Sequence, residues 1–271
     1  MSLAKGFVAI DAGNTRLKLT WFDAAGEEPE VWSFDASAQD ELLARVSACG
    51  EVAGGMVSVA RVDTRLVESL RAVLDGDFLP VTPDTPLPIG VDYDDPRCLG
   101  IDRKATAVAA AAEWPDSRCV VIDAGTALTC DLVAAGRFMA GCISPGLSMR
   151  FRSLHEHTAL LPHLTPSAGE LLAMKGGFGG STAGSIMHGV VRGLTDEVAG
   201  ALAEAAAGAA AGEPVVALVT GGDGAVVAAG LERMRKSGWM AGALKDIAIV
   251  YDPHLLAKGV RAIYRHNEDE I

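Results

Sequence analysis

The chain has no run approaching the roughly 20 apolar residues that a membrane-spanning helix requires. Its first residues, Met1 to Gly6, contain no long apolar segment and no small-residue cleavage site, so neither a membrane anchor nor secretion is expected. Cysteine is sparse: Cys49, Cys98, Cys119, Cys130 and Cys142 are odd in number and include no C-x-x-C pair. Reduced, mostly buried thiols in a cytoplasmic protein are the expectation. Positive charge is also short, with 23 Lys and Arg against 35 Asp and Glu and a net charge of −12. That balance removes the basic face that nucleic acid or an anionic membrane would need. Any anionic ligand must instead be held locally, by backbone amides, a cation or a few placed Arg and Lys. There is no run of like charge, and hydrophobic residues make up 49% of the 271 positions. This is a globular composition, long enough for one large domain or two medium ones.

What is present is a repeat. Val8-Ala9-Ile10-Asp11-Ala12-Gly13-Asn14-Thr15 recurs 112 residues later as Val120-Val121-Ile122-Asp123-Ala124-Gly125-Thr126-Ala127. Each copy is an apolar strand that ends in Asp, a small residue, Gly and a polar or hydroxyl residue, then enters a second apolar stretch. Such a hairpin tip exposes backbone N–H groups, and a carboxylate beside it can hold a hydrated cation. A single copy would read as an ordinary hairpin turn. Two copies point to a phosphate clamp with a tip in each half of the chain.

The pattern between the tips is α/β. A hairpin is expected over 7–22, a third strand near Val31 to Phe34, helices over 39–49 and 66–74, and strands over 54–60 and 78–81. Residues 82–99 read as a Pro-, Asp- and Gly-rich loop carrying Tyr93, and an alanine-rich helix follows from Gly100 through Ala112. The second half predicts a hairpin over 119–133, a strand over 138–143 and a helix containing Met149, Phe151 and Leu154. Further helices are expected from Ala183 to Leu194 and onward, and over 197–212. An apolar strand over 215–220 ends in Gly221-Gly222-Asp223-Gly224, and a last helix covers 253–263. The boundary falls near residue 115, giving domains 1–115 and 116–271.

Gly100-Ile101-Asp102-Arg103 places a carboxylate and a guanidinium in the first turn of a helix. Dipole compensation alone would account for an isolated Asp-Arg pair. Here the pair follows the Tyr93 loop and precedes the second tip, where a base beside an anion-binding Arg suits a hydroxyl substrate that also carries a carboxylate. Thr220-Gly221-Gly222-Asp223 reads by itself as a strand-to-helix turn needing glycine; beside two phosphate tips it becomes a wall for a nucleoside. His155, His157 and His163 lack a matching ligand set, so a cap or surface role is expected of them rather than metal binding.

With these segments assembled, the chain resembles the type III pantothenate kinases, a branch of the acetate and sugar kinase, heat-shock ATPase and actin superfamily. The resemblance rests on the Asp11 turn, Gly-x-Asp-Arg at 100–103 and Asp-x-Gly-Thr-Ala at 123–127. It extends through Gly141-Cys142-Ile143-Ser144-Pro145-Gly146, His157-Thr158-Ala159-x-Leu161-Pro162, Gly180-Ser181-Thr182 and Thr220-Gly221-Gly222-Asp223. It implies two duplicated actin-like (ribonuclease H-like) domains with a nucleotide cleft between them. It also implies phosphorylation of pantothenate by ATP, the first step of coenzyme A biosynthesis. ATP would be bound by Asp11, Ala12, Gly13, Asn14, Thr15, Arg16, Leu17 and Lys18, with Thr126, Gly221 and Gly222. Pantothenate would be bound by Tyr93, Gly100, Ile101, Asp102, Arg103 and Thr182, with Asp102 as proton acceptor. Asp123 would hold a monovalent cation, K+ or NH4+, and Asp11 would face a hydrated Mg2+. A homodimer sharing pocket residues is implied as well. The alternatives are a superfamily kinase or phosphatase acting on another small substrate, and a non-catalytic nucleotide-binding regulatory factor. A regulatory factor would have no need of the Asp102 base.

Overall fold

The computed structural model describes residues 6–13, 16–24, 28–58, 63–75, 77–237 and 241–270. The chain divides into two units, one formed by residues up to Glu113 together with those from His254 onward, the other by Trp114–Pro253.

In the first unit, β1 (Gly6–Ala12) and β2 (Arg16–Phe22) form the expected hairpin, and β3 (Glu30–Asp35) extends it. Helix α1 (Gln39–Ala48) leads to β4 (Val52–Ser58), and α2 (Thr64–Val73) leads to β5 (Phe78–Pro80). The sheet order is β3-β2-β1-β4-β5, antiparallel through β1 and parallel beyond it. Both faces of β1 are covered, which explains its unbroken apolar run. Val8 and Ile10 share a core with Leu42, Val46, Leu66 and Leu70 of α1 and α2. Phe7 and Ala9 belong to a second core on the other face. Asp63 caps α2, its carboxylate accepting from the N–H groups of Arg65 and Leu66 at 3.0 and 3.4 Å. Residues 59 and 60 of the expected fourth strand lie outside the described residues. A two-residue strand, β6 (Gly90–Val91), interrupts the loop before α3 (Ile101–Glu113).

The second unit repeats the plan. Strands β7 (Arg118–Ala124), β8 (Ala127–Ala134) and β9 (Arg137–Pro145) form an antiparallel meander, followed by α4 (Leu147–Glu156) and α5 (Ala168–Ala173). The two helices expected around 183–212 are one, α6 (Thr182–Ala207), because the apolar series Ile186, Val190, Leu194, Val198 and Leu202 continues without a break and Gly208 ends it. After β10 (Val215–Thr220) come α7 (Gly224–Ser237), the short α8 (Ala241–Leu244) and β11 (Ile247–Tyr251). β10 pairs in parallel with β7 on one side and β11 on the other. Within the unit the order β9-β8-β7-β10-β11 is thus that of the first sheet, element for element.

The last helix, α9 (Leu255–His266), packs in the first unit and not in the second, where its position in the sequence had placed it. Its stripe of Ala257, Val260, Ile263 and Tyr264 joins Phe7, Ala9, Val57, Ala105 and Val108 in the second core of that unit. The physical reason is an uncovered sheet face: α1 and α2 occupy one side, and α3 alone cannot bury the other. Lys258 pairs with Glu113 at 2.8 Å, and the Tyr264 hydroxyl donates to Asp77.

Candidate functional site

Asp11 stands near the end of β1, cross-strand from Lys18. Just beyond it the chain reverses, with the Gly13 N–H donating to the Arg16 carbonyl at 3.0 Å and the Ser58 hydroxyl donating to the Ala12 carbonyl at 3.3 Å. Asn14 and Thr15 lie outside the described residues; Arg16 directs its guanidinium to the Ser33 hydroxyl at 3.4 Å. Asp102, in the first turn of α3, accepts a 2.8 Å hydrogen bond from the Arg103 N–H. Gly100 permits this, since a Cβ there would lie 2.5 Å from the Asp102 Oδ1. The structure brings Asp11 and Asp102 into electrostatic contact: the negative charge of Asp102 is one of the forces acting on the Asp11 carboxyl.

The loop before α3 is fixed by a residue that the sequence did not single out. Lys104 is buried and donates from Nζ to the Pro83 carbonyl at 3.0 Å, and burial lowers its pKa. Arg103 is buried beside it. The same loop carries Tyr93, which is partly exposed, and the Asp95 carboxylate that caps the turn over Pro96–Cys98.

In the second unit Asp123 occupies the matching position at the end of β7. Gly125 N–H donates to the Ala127 carbonyl at 3.0 Å, a closure one residue shorter than that at Gly13, and Gly146 at the start of α4 donates to the Thr126 carbonyl at 3.1 Å. The turn after β10 crosses this tip. Gly221 has φ +89°, and a Cβ on it would lie 2.4 Å from the Asp123 Oδ1 and 2.5 Å from the Ala124 carbonyl oxygen. The Asp223 N–H donates to that carbonyl at 2.9 Å. Opposite Asp123 on β8 is Thr129, whose buried hydroxyl has no hydrogen-bond partner among the described residues. Thr126, Gly222 and Thr182 are exposed. His155 bonds from Nδ1 to the Leu161 carbonyl at 2.8 Å and stacks on His163.

The family model described as Type III pantothenate kinase matches residues 7–204, a span that contains both tips, Gly100 to Arg103 and Thr182. The chain belongs to this family. Among its relatives, the type III pantothenate kinase of Akkermansia muciniphila is 34% identical over 84% of this chain and 91% of its own length. Those of Flavobacterium johnsoniae and Bacteroides fragilis are 32% and 37% identical over 58% and 56% of this chain, and these alignments reach only 65% and 63% of the two relatives. Solved structures show the fold. A putative Baf family transcriptional activator from Campylobacter jejuni superposes with a TM-score of 0.56 at 21% identity, covering 97% of this chain and 99% of that one. A putative N-acetylmannosamine kinase from Listeria monocytogenes gives 0.53 at 14% identity, covering 98% and 99%. The fold of this type III pantothenate kinase family member is therefore the two-unit actin-like one.

Burial pushes the Asp11 carboxyl up from 3.8 to about 6; Lys18 opposes the rise and Asp102 adds to it. The folded state thus holds this proton more tightly than the unfolded chain does. This contribution to stability is greatest below pH 4 and is lost as pH climbs to about 6, amounting to about 3 kcal/mol at 1.36 kcal/mol per pKa unit. Denaturant titrations at pH 5 and 7.5 should show a little under half of that loss, about 1.4 kcal/mol, in the wild type, whereas Asp11→Asn removes it and is the more stable form at pH 7.5. Identical pH dependence in the two proteins would dismiss Asp11 as the source.

Proposed function

We propose that the protein transfers the γ-phosphoryl group of ATP to the primary hydroxyl of pantothenate. The observation that carries this reading is the Asp102 carboxylate, held by the Arg103 N–H in the first turn of α3, its charge felt by Asp11 of the first tip, inside a Gly-x-Asp-Arg segment. Asp102 orients the hydroxyl and takes its proton. Gly100, Ile101, Arg103, Tyr93 and Thr182 bind the substrate, with the Arg103 guanidinium matched to its carboxylate. Residues 11–18 are assigned to the ATP phosphates, and Thr126, Gly221 and Gly222 to the nucleotide.

The donors at both tips fit hard cations. At Asp123 they are oxygens only: the carboxylate, the unpartnered Thr129 hydroxyl and the close Gly221 turn suit K+ or NH4+. Asp11, with one carboxylate, suits a Mg2+ that keeps most of its water. Bound cations would supply the positive charge that ATP needs on a protein of net charge −12. Asp11 and Asp123 would therefore act through cations, because a bare carboxylate against phosphate repels. We also read the protein as a homodimer, on the strength of the exposed apolar side chains Ile143, Leu160 and Phe178 in the second unit.

ADP release tests the proposal. With ATP and Mg2+, turnover should require pantothenate and should fall when K+ or NH4+ is replaced by Na+. Turnover without pantothenate would identify a hydrolase or another acceptor, and ATP binding without any turnover would leave a nucleotide sensor.

A further inference from the structure

Cys130 of β8 and Cys142 of β9 are direct partners in the antiparallel ladder. Opposed residues in such a ladder point to the same face with Cα atoms about 4.5 or 5.5 Å apart, inside the span that a disulfide bridges. The two thiols also line one cavity of about 360 Å3, together with Val120, Leu132 and the α6 residues Ala201 and Ala205. Cys130 is buried and Cys142 is exposed. The remaining cysteines are placed differently: Cys49 bonds to the Arg45 carbonyl within its own helix, Cys98 lies on the turn capped by Asp95, and Cys119 faces Val133 across its ladder.

We propose that Cys130 and Cys142 are a peroxide-sensitive dithiol that oxidises to a cross-strand disulfide and in doing so lowers turnover. The Cys142 thiolate is the accessible nucleophile. It attacks the O–O bond of hydrogen peroxide, which breaks, giving a sulfenic acid and one water once the leaving oxygen is protonated. The Cys130 sulfur then attacks the Cys142 sulfur; the S–S bond forms, the S–O bond breaks, and a second water departs with the Cys130 proton. Two thiols lose two electrons and one peroxide becomes two waters. Cys130 is buried, so peroxide reaches Cys142 first and Cys130 acts afterwards, as a resolving cysteine does. The pair lies one residue along the strand from the proposed cation site, on the opposite face of the sheet: Cys130 adjoins Thr129, which is paired with Asp123, and Ile122, Cys130 and Cys142 form one row across three strands. A bond there clamps β8, the strand that leaves the second tip, to β9 and so restricts its movement during turnover.

The test uses the full chain treated with hydrogen peroxide, trapped with an alkylating agent and digested without reduction. The expected product is an intramolecular Cys130–Cys142 peptide link that dithiothreitol reverses and that Cys142→Ser lacks. The effect on turnover rests on the kinase reading: ADP release should fall about tenfold or more on oxidation and recover on reduction, while Cys142→Ser keeps its turnover in peroxide. Cys142 advancing to sulfinic acid with Cys130 still alkylatable, or a link between two chains, overturns the disulfide. A disulfide formed with turnover unchanged overturns its regulatory effect. Absence of pantothenate-dependent turnover in the reduced protein would refute the kinase reading alone, since the peptide link is read by mass.

Discussion

Asp102→Asn should lower kcat by about a hundredfold to ten-thousandfold, the range a positioned general base contributes, while the affinity for ATP stays near that of the wild type. Asn keeps an Oδ1 that can accept the Arg103 N–H, so the first turn of α3 retains its 2.8 Å hydrogen bond. What is lost is the capacity to take a proton from the substrate hydroxyl. The variant also removes a negative charge that raises the Asp11 carboxyl, so its stability near pH 7 should equal or exceed that of the wild type. Steady-state kinetics, ATP titration and denaturant melts of one preparation decide the matter. A variant that folds, binds ATP and turns over at the wild-type rate would remove Asp102 from the reaction. One that loses ATP binding would make it a structural or metal-site residue.

Gly221→Ala should have an effect of comparable size through a different cause. The left-handed φ of +89° costs a residue with a side chain about 1–2 kcal/mol. The new methyl would also stand 2.4 Å from the Asp123 Oδ1 and 2.5 Å from the Ala124 carbonyl oxygen. The carbonyl cannot retreat, because β7 is paired on both sides, with β8 and with β10. Asp123 must swing away or the turn must leave the tip, and either movement disturbs the oxygen set proposed for the monovalent cation. The expected result is a loss of about 3 kcal/mol in stability, a higher KM for ATP and the disappearance of the K+ requirement. Gly222→Ala, with nothing within 4 Å of its added methyl, should melt at the wild-type temperature. Unchanged melting and an unchanged K+ requirement in Gly221→Ala would show that the turn does not constrain Asp123.

The parts of the molecule that could be read from sequence share a physical cause. β1, β7 and β10 lie in sheet interiors and show unbroken apolar runs, and the tips that follow two of them depend on turn residues whose spacing is local. Local rules suffice there. They fail for α9, because nothing in its own residues says which uncovered sheet face will receive its apolar stripe. They fail for Lys104 too: in an alanine-rich helix a lysine looks solvated, and only the position of the Pro83 carbonyl explains its burial. Helix α7 and strand β11 escape a reading guided by turn motifs, although Val226, Val227, Leu231 and Met234, and the run Ile247 to Val250, carry apolar signals. At the site, the end-of-strand carboxylates and the Gly-x-Asp-Arg segment were visible in the residues. The electrostatic contact between Asp11 and Asp102 and the unpartnered Thr129 hydroxyl required coordinates.

The placement of α9 has a consequence for synthesis on the ribosome. The second unit is contiguous, Trp114 to Pro253, and all of its strands have been made before α9 emerges. The first unit, although begun earlier, waits with Phe7, Ala9 and Val57 on an open sheet face until residues 255–266 arrive to cover them. The half of the protein that is translated first is thus the half that closes last. A chain ending at Pro253 would hold the whole of the later unit while its earlier unit still exposes apolar surface to chaperones and proteases.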